Sequence, residues 1–283
     1  MKRKLALGLL GGTGLSEKEQ IKKIKEAGFD KVFFDFTRDE SLIRKLSAAK
    51  ELGVPVNSLH APFMRCDKLW YPTSDTEDVI SEQIECLRAC HDNGIPVSVH
   101  HVIIGFDLHE PTEAGLHSFD VIVREAEKLG VTVAFENTEG IEYFDAVMGR
   151  YKECGTVKFC IDTGHEICYT PGHDLMSAYG NRLAYTHIND NLGVCSDKIT
   201  WLDDLHLLPF DGKVDFDRFA RSVAACGYAG DLSFELTRQS KPGRCENDRY
   251  AEMKLEAYLS EAYSRAVRLS EMCDKYDSLS SEK

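Results

Sequence analysis

Residues 111–137 read PTEAGLHSFDVIVREAEKLGVTVAFEN, and their order decides the fold. From Pro111 to Leu129 the apolar side chains recur at helical spacing. Gly130 stops that pattern, and Val131–Glu136 follows as a short apolar run ending on a carboxylate. A helix closed by glycine and followed at once by a β-branched strand is part of a βαβ unit. The same punctuation recurs along the chain. Ser16–Ala27 precedes Gly28, Asp39–Leu52 precedes Gly53, and Glu77–Asp92 precedes Gly94. Glu142–Cys154 precedes Gly155, and Asp215–Cys226 precedes Gly227. Ser16 with Glu19 three residues on has the form of a capping box. The runs expected as strands are Leu5–Leu10, Lys31–Phe36, Val54–His60, Pro96–Ile104, Val131–Glu136, Val157–Asp162, Leu183–Asn189 and Asp231–Leu236. This alternation predicts an α/β protein, a single (β/α)8 TIM barrel over residues 1–276. Its last helix is expected at Asp248–Tyr276, followed by a polar tail at 277–283. The alternative is a doubly wound open sheet with Gly11-Gly12-Thr13-Gly14 as its first loop. That stretch lacks GxGxxG spacing and reads as a turn.

The 283 residues are 43% hydrophobic and 29% charged, a globular composition with a net charge of −13. An acidic surface disfavours nucleic acid as a partner, unless metal ions supply positive charge locally. The ten cysteines form no CxxC pair and read as reduced thiols of a cytoplasmic protein. Met1-Lys2-Arg3-Lys4 before Leu5–Leu10 has the look of a signal peptide. The apolar run is short, no A-x-A site follows, and it reads better as a first buried strand. No apolar stretch approaches the roughly 20 residues of a membrane span.

Groups able to hold a metal close most of the strands: His60, His100-His101, Glu136, Asp162 with His165 three residues on, His187 and Glu235. Asp204 and His206 lie in the long connection after the seventh strand. A barrel would gather all of them at one mouth, where their burial is costly unless they are paired or bound to a cation. Carboxylate with imidazole suits divalent zinc, manganese, cobalt or iron. Of the histidine pair, His100 is expected to enter the mouth and His101 to face away, because strand side chains alternate. His91, His109, His117 and His173 read as surface residues. The long connections 63–76 and 190–212 carry Trp70, Tyr71, Trp201 and Phe210, which would either stack on a substrate or pin the loops to the rim.

Taken in order, Ser58-Leu59-His60-Ala61-Pro62, Phe135-Glu136-Asn137, Asp162-Thr163-Gly164-His165, His187-Ile188-Asn189-Asp190-Asn191, Asp204-Leu205-His206 and Phe234-Glu235 resemble the xylose-isomerase-like barrel superfamily of sugar isomerases, epimerases and apurinic endonucleases. The likeness spans nearly the whole chain. Its ketose 3-epimerase branch implies one divalent metal, Mn, Co, Mg or Zn, on Glu136, Asp162, His187 and Glu235. Glu136 and Glu235 would then move protons at a substrate carbon, and His165 would touch the substrate oxygens. The activity implied is isomerisation or epimerisation of a sugar or sugar-like polyol through a metal-stabilised enediolate, a role in carbohydrate metabolism. His60, Trp70 and Trp201 join His165 as expected substrate contacts. The apurinic endonuclease branch implies further zinc ions on His60, His100, His165, Asp204 and His206, with phosphodiester cleavage as the alternative. Val102-Ile103 stands where that branch favours Pro-Gly, and basic DNA loops are missing. A dehydratase of an inosose-like compound is a third reading, and a non-catalytic sugar-binding barrel a fourth. The expected partner is a small sugar, with no membrane and with room for a homo-oligomer.

Overall fold

The structure is a computed structural model that describes residues 3–281. Eight parallel strands form one sheet: β1 (Leu5–Gly8), β2 (Lys31–Asp35), β3 (Val56–His60), β4 (Val97–His101), β5 (Thr132–Glu136), β6 (Val157–Asp162), β7 (Leu183–His187) and β8 (Leu232–Phe234). β1 to β7 pair in sequence order, and β8 pairs with β1. The Ile188 N–H donates to Ser233 O at 2.8 Å and the Glu235 N–H to Ile188 O at 3.1 Å, which closes the ring between β7 and β8. All eight expected strands are present, each inside its sequence range or matching it.

The helices between strands start and stop for local reasons. Ser16 Oγ accepts from the Glu19 N–H while the Glu19 carboxylate accepts from the Ser16 N–H, so the capping box forms. Gly53 (φ 61°) and Gly130 (φ 66°) end Glu40–Leu52 and Glu113–Leu129 in the left-handed conformation that glycine adopts without penalty. The expected last helix is two helices. Asp248–Ala251 is separated by three residues from Leu255–Ser281, and the second runs past the Tyr276 limit set from the sequence.

Most of the core lies between the barrel and its helices. A smaller cluster of Val97, Val99, Ala134, Cys160 and Tyr185 fills the barrel interior on four adjacent strands. Below it Tyr185 donates its hydroxyl to Asn57 Oδ1 at 2.8 Å. Strand side chains repeat every two residues. Stepping two residues on from Val99, Ala134, Cys160 and Tyr185 reaches His101, Glu136, Asp162 and His187, so the filled interior gives way directly to a polar mouth.

Candidate active site

Glu136 is the centre of the mouth and is fully buried. Its Oε1 lies 3.0 Å from His187 Nδ1 and 3.5 Å from His165 Nδ1, and its Oε2 lies 3.2 Å from His60 Nε2 and 3.3 Å from His101 Nε2. Glu235 reaches in from β8, with its Oε2 3.3 Å from His187 Nδ1. Asp204 Oδ2 is 2.9 Å from His206 Nε2, and Asp204 Oδ1 is 3.6 Å from His165 Nε2. His206 holds a positive φ of 46°, uncommon for a residue with a side chain and frequent at functional positions.

Among the described residues, four sets of ligand atoms lie within 4.8 Å of one another: His60, His101 and Glu136; Glu136, Cys160 and His187; Glu136, Asp162, His187 and Glu235; and Asp162, His165 and His206. Glu136 belongs to three of these sets and Asp162 to two. The expected four-residue set is therefore brought together, as are His60, His165 and His206, with Asp204 alongside.

His100 is not. It faces the helix layer, where its Nδ1 lies 2.8 Å from Gln83 Oε1 and its Nε2 2.8 Å from Ser98 Oγ. His101 takes the mouth position instead. The reason is the two-residue period: Val97 and Val99 fill the barrel interior, so His101 shares their side and His100 shares that of Ser98. Trp70 is also corrected. It is fully buried, donates its indole N–H to Val102 O at 2.6 Å, and packs on Phe119 and Tyr143. It pins the connection after β3 and does not face a substrate. Tyr71 does the same through its hydroxyl, which donates to Glu110 O at 3.0 Å. Trp201 is half exposed, beside Lys241. His91, His109, His117 and His173 are exposed, as expected. A cleft of about 270 Å³ lined by Asp35, His60, Phe63 and Met64 adjoins the mouth on the β2–β3 side.

Two asparagines that the sequence reading gave no role hold Asp162 in place. Asn137 accepts from the Asp162 N–H at 2.7 Å and donates to Asp162 O at 2.9 Å. Asn189 donates to Asp162 Oδ2 at 2.7 Å, while the His165 N–H donates to Oδ1 at 2.7 Å. Gly164 leaves room for this arrangement, since a Cβ there would lie 2.0 Å from Asn189 Oδ1. The available signal was position: Asn137 follows Glu136, and Asn189 stands two residues after His187.

The donor set fits a divalent cation. In His60, His165 and His206 the Nδ1 atom lies 2.8, 2.9 and 3.0 Å from a backbone carbonyl, of Ala61, Asn137 and Glu235 respectively. An imidazole that donates through Nδ1 presents the Nε2 lone pair, and each Nε2 here faces a carboxylate. Two lone pairs repel unless a proton or a cation lies between them, and this anchoring by the far nitrogen is typical of metal-ligating histidine. Asp204 Oδ1 is buried without a hydrogen-bond partner, as a cation ligand would be before its ion is added. Without metal, protons take that place. Burial pushes the Glu136 carboxyl up, but His187, His101 and His60 outweigh it and hold it well below the usual range. Burial opposes protonation of His60, yet Glu136 raises it to about 9. Burial likewise opposes protonation of His206, which Asp204 raises to about 10. Burial, with Glu136 and Glu235 adding repulsion, lifts Asp162 to about 6 against the opposing pull of His165 and His206.

Comparison with known proteins agrees with this architecture. The family of xylose isomerase-like TIM barrels matches residues 21–259. An uncharacterized protein of Sinorhizobium fredii, y4fM, is 31% identical over 207 residues, which is 67% of this chain and 60% of that protein. Among solved structures, an L-ribulose 3-epimerase superposes with a TM-score of 0.72 at 16% identity, covering 99% of this chain and 98% of its own. A xylose isomerase domain protein from Planctomyces limnophilus gives 0.73 at 13% identity, covering 97% and 100%. A D-psicose 3-epimerase from Clostridium cellulolyticum H10 gives 0.68 at 15% identity, covering 96% and 98%. At these identities the structures speak to the fold alone, and the family match carries the assignment: the chain belongs to the xylose isomerase-like TIM barrel family.

Proposed function

We propose that the protein is a divalent-metal-dependent isomerase or epimerase of a sugar or sugar-like polyol. The observation that carries this reading is the convergence of Glu136, Asp162, His187 and Glu235 within 4.8 Å at the barrel mouth. A divalent cation held by these four would supply the Lewis acidity that stabilises negative charge on adjacent substrate oxygens. Glu136 and Glu235 reach that point from β5 and from the end of β8, on different walls of the barrel. One carboxylate removes the proton on the carbon beside a carbonyl, and the other returns a proton to the resulting enediolate. Both oxygens of Glu136 are engaged by imidazoles, whereas the Glu235 side chain is 30% exposed, which favours Glu235 as the first base. His165, anchored through Nδ1, orients the substrate oxygens. The shared fold of two ketose 3-epimerases is consistent with this chemistry.

The test is to load the protein with manganese, cobalt, magnesium or zinc and incubate it with ketoses, aldoses and keto-polyols in D2O. Deuterium should enter at the carbon beside the carbonyl, with an isomer or epimer formed. Neither exchange nor conversion with any substrate would sink the reading. Product analysis also separates epimerisation from dehydration.

A second reading has its own observation. Glu136 and Asp162 are each shared between ligand sets, and His60, His101, His165, Asp204 and His206 surround the central four. That arrangement could hold several zinc ions acting on a phosphodiester, as in the apurinic endonuclease branch. Cleavage of an abasic duplex by the zinc-loaded protein would favour it. An intact duplex beside active ketose turnover would remove it.

A further inference from the structure

Two side chains outside the ligand sets meet at the rim on the β7–β8 side. Lys241, in the connection after β8, places its Nζ 5.4 Å from the centre of the Trp201 ring, which lies in the connection after β7. The same Nζ is 3.4 Å from Asp204 Oδ2. Among the ion pairs of the described residues, no other lysine or arginine reaches any of the nine groups at the mouth. Trp201 is 51% exposed, so much of its ring remains open to solvent beside Lys241. By contrast, Arg65 at the β3 side is engaged by Asp78 and Glu82, and Arg244, near Lys241, by Glu246.

Lys241 is not needed to satisfy Asp204 Oδ2, the oxygen it approaches. That oxygen already has His206 Nε2 at 2.9 Å. An ammonium carries three N–H donors. One points at Asp204 from the far end of hydrogen-bonding distance, and among the described residues the other two have no hydrogen-bond acceptor. In (β/α)8 barrels the loops after strands 7 and 8 frequently form a phosphate site together with the N-terminus of a short extra helix.

We infer that Lys241 and Trp201 form a subsite for an anionic group, a phosphate ester or a carboxylate, on the part of the substrate that does not react. The inference rests on the isomerase reading above and narrows its substrate to sugars carrying such a group. The ammonium supplies a charge-assisted hydrogen bond, and the indole face covers the adjoining carbons. Lys241 sets specificity here and takes no part in the proton transfers.

The test is calorimetric binding of D-fructose, D-fructose 6-phosphate and D-fructuronate to the manganese-loaded protein, and to its Lys241→Met and Lys241→Arg variants. The wild type should bind one of the anionic ketoses at least about tenfold more tightly than D-fructose, which is ~1.4 kcal/mol. Which of the two it prefers identifies the group as phosphate or carboxylate. Lys241→Met should lose the preference, and Lys241→Arg should keep most of it. If Lys241 merely supports Asp204, Lys241→Met weakens all three ligands alike, and the subsite is refuted. A preference that survives in Lys241→Met assigns it to the metal site and refutes the subsite equally. Equal binding of the three ketoses by the wild type removes the subsite and leaves the isomerase reading standing. Binding of none removes the subsite and leaves the isomerase reading to the deuterium-exchange test. Selective binding of an anionic ketose without turnover keeps the subsite and leaves that reading to the same test.

Discussion

Replacing Glu235 by Gln keeps the shape of the side chain and removes the charge that would carry the substrate proton. Its cost to the fold is small. The carboxylate is 30% exposed, with imidazole nitrogens at 3.3 Å (His187) and 3.9 Å (His206). Pairs of this exposure contribute about 1 kcal/mol or less. For a domain of this size that is roughly 2–4 °C in melting temperature. Its cost to catalysis is large. A positioned acid–base group contributes about 10²–10⁴-fold, or ~2.7–5.4 kcal/mol of barrel-mouth chemistry at 1.36 kcal/mol per decade. Glu235 is also one of four ligands, so the comparison is made at saturating metal, fixed by titration for each protein. The assay is deuterium incorporation into the substrate in D2O, followed by NMR alongside a melting curve. A Glu235→Gln variant that folds normally and exchanges within about tenfold of wild type would refute the assignment of Glu235 as a proton carrier.

Gly164→Ala should damage the site from a distance. The new Cβ would lie 2.0 Å from Asn189 Oδ1, displacing the amide that holds Asp162 Oδ2, so metal affinity should fall about 10–100-fold by competition against a chelating dye. Unchanged affinity would show that Asn189 does not position Asp162. Trp70→Ala should destabilise the protein by about 3–5 kcal/mol in urea unfolding, because the ring is fully buried on Phe119 and Tyr143, while Trp201→Ala should stay within about 0.5 kcal/mol. Equal effects would contradict the placement of the two rings. For the metal-free protein, burial opposes protonation of His60 and His206, but Glu136 and Asp204 raise them to about 9 and about 10, above the ordinary 6.5. Their contribution is therefore fully present below pH 6.5 and is lost as pH rises through 9 to 10. The melting temperature of the chelated protein should fall across that window, and saturating metal should flatten the fall. A metal-free melting temperature that rises there would contradict the account of the buried pairs.

The strands were legible because each is a short apolar run set off by a helix and a glycine, a signal that survives without knowledge of neighbours. Glu136, Asp162, His187 and Glu235 were legible for a related reason, since each stands at or just beyond the end of such a run. The choice between His100 and His101 was not fixed by the run alone. Val97 and Val99 share one side and Ser98 takes the other, but both faces of a barrel strand are buried, and only the packing of Val99 on Ala134 and Cys160 tells which side is the barrel interior. Trp70 was open for a similar reason. Whether a loop aromatic is exposed depends on what covers it, here the helix Glu113–Leu129, whose Gly115 admits the indole ring so closely that a Cβ would lie 2.1 Å from it. Asn137 and Asn189 act through contacts 25 and 27 residues away, which local pattern does not reveal. The break between Asp248–Ala251 and Leu255–Ser281 has no proline or glycine to announce it.

The most direct test of the metal centre is elemental analysis of protein purified without chelator or histidine tag, beside an Asp162→Asn, His187→Ala double variant. The wild type should carry at least about one divalent ion per chain, approaching about three if the outer histidines also bind zinc, and the double variant should lose the central ion. A wild-type chain that retains no more metal than the double variant after incubation with manganese, cobalt, magnesium and zinc would contradict the account.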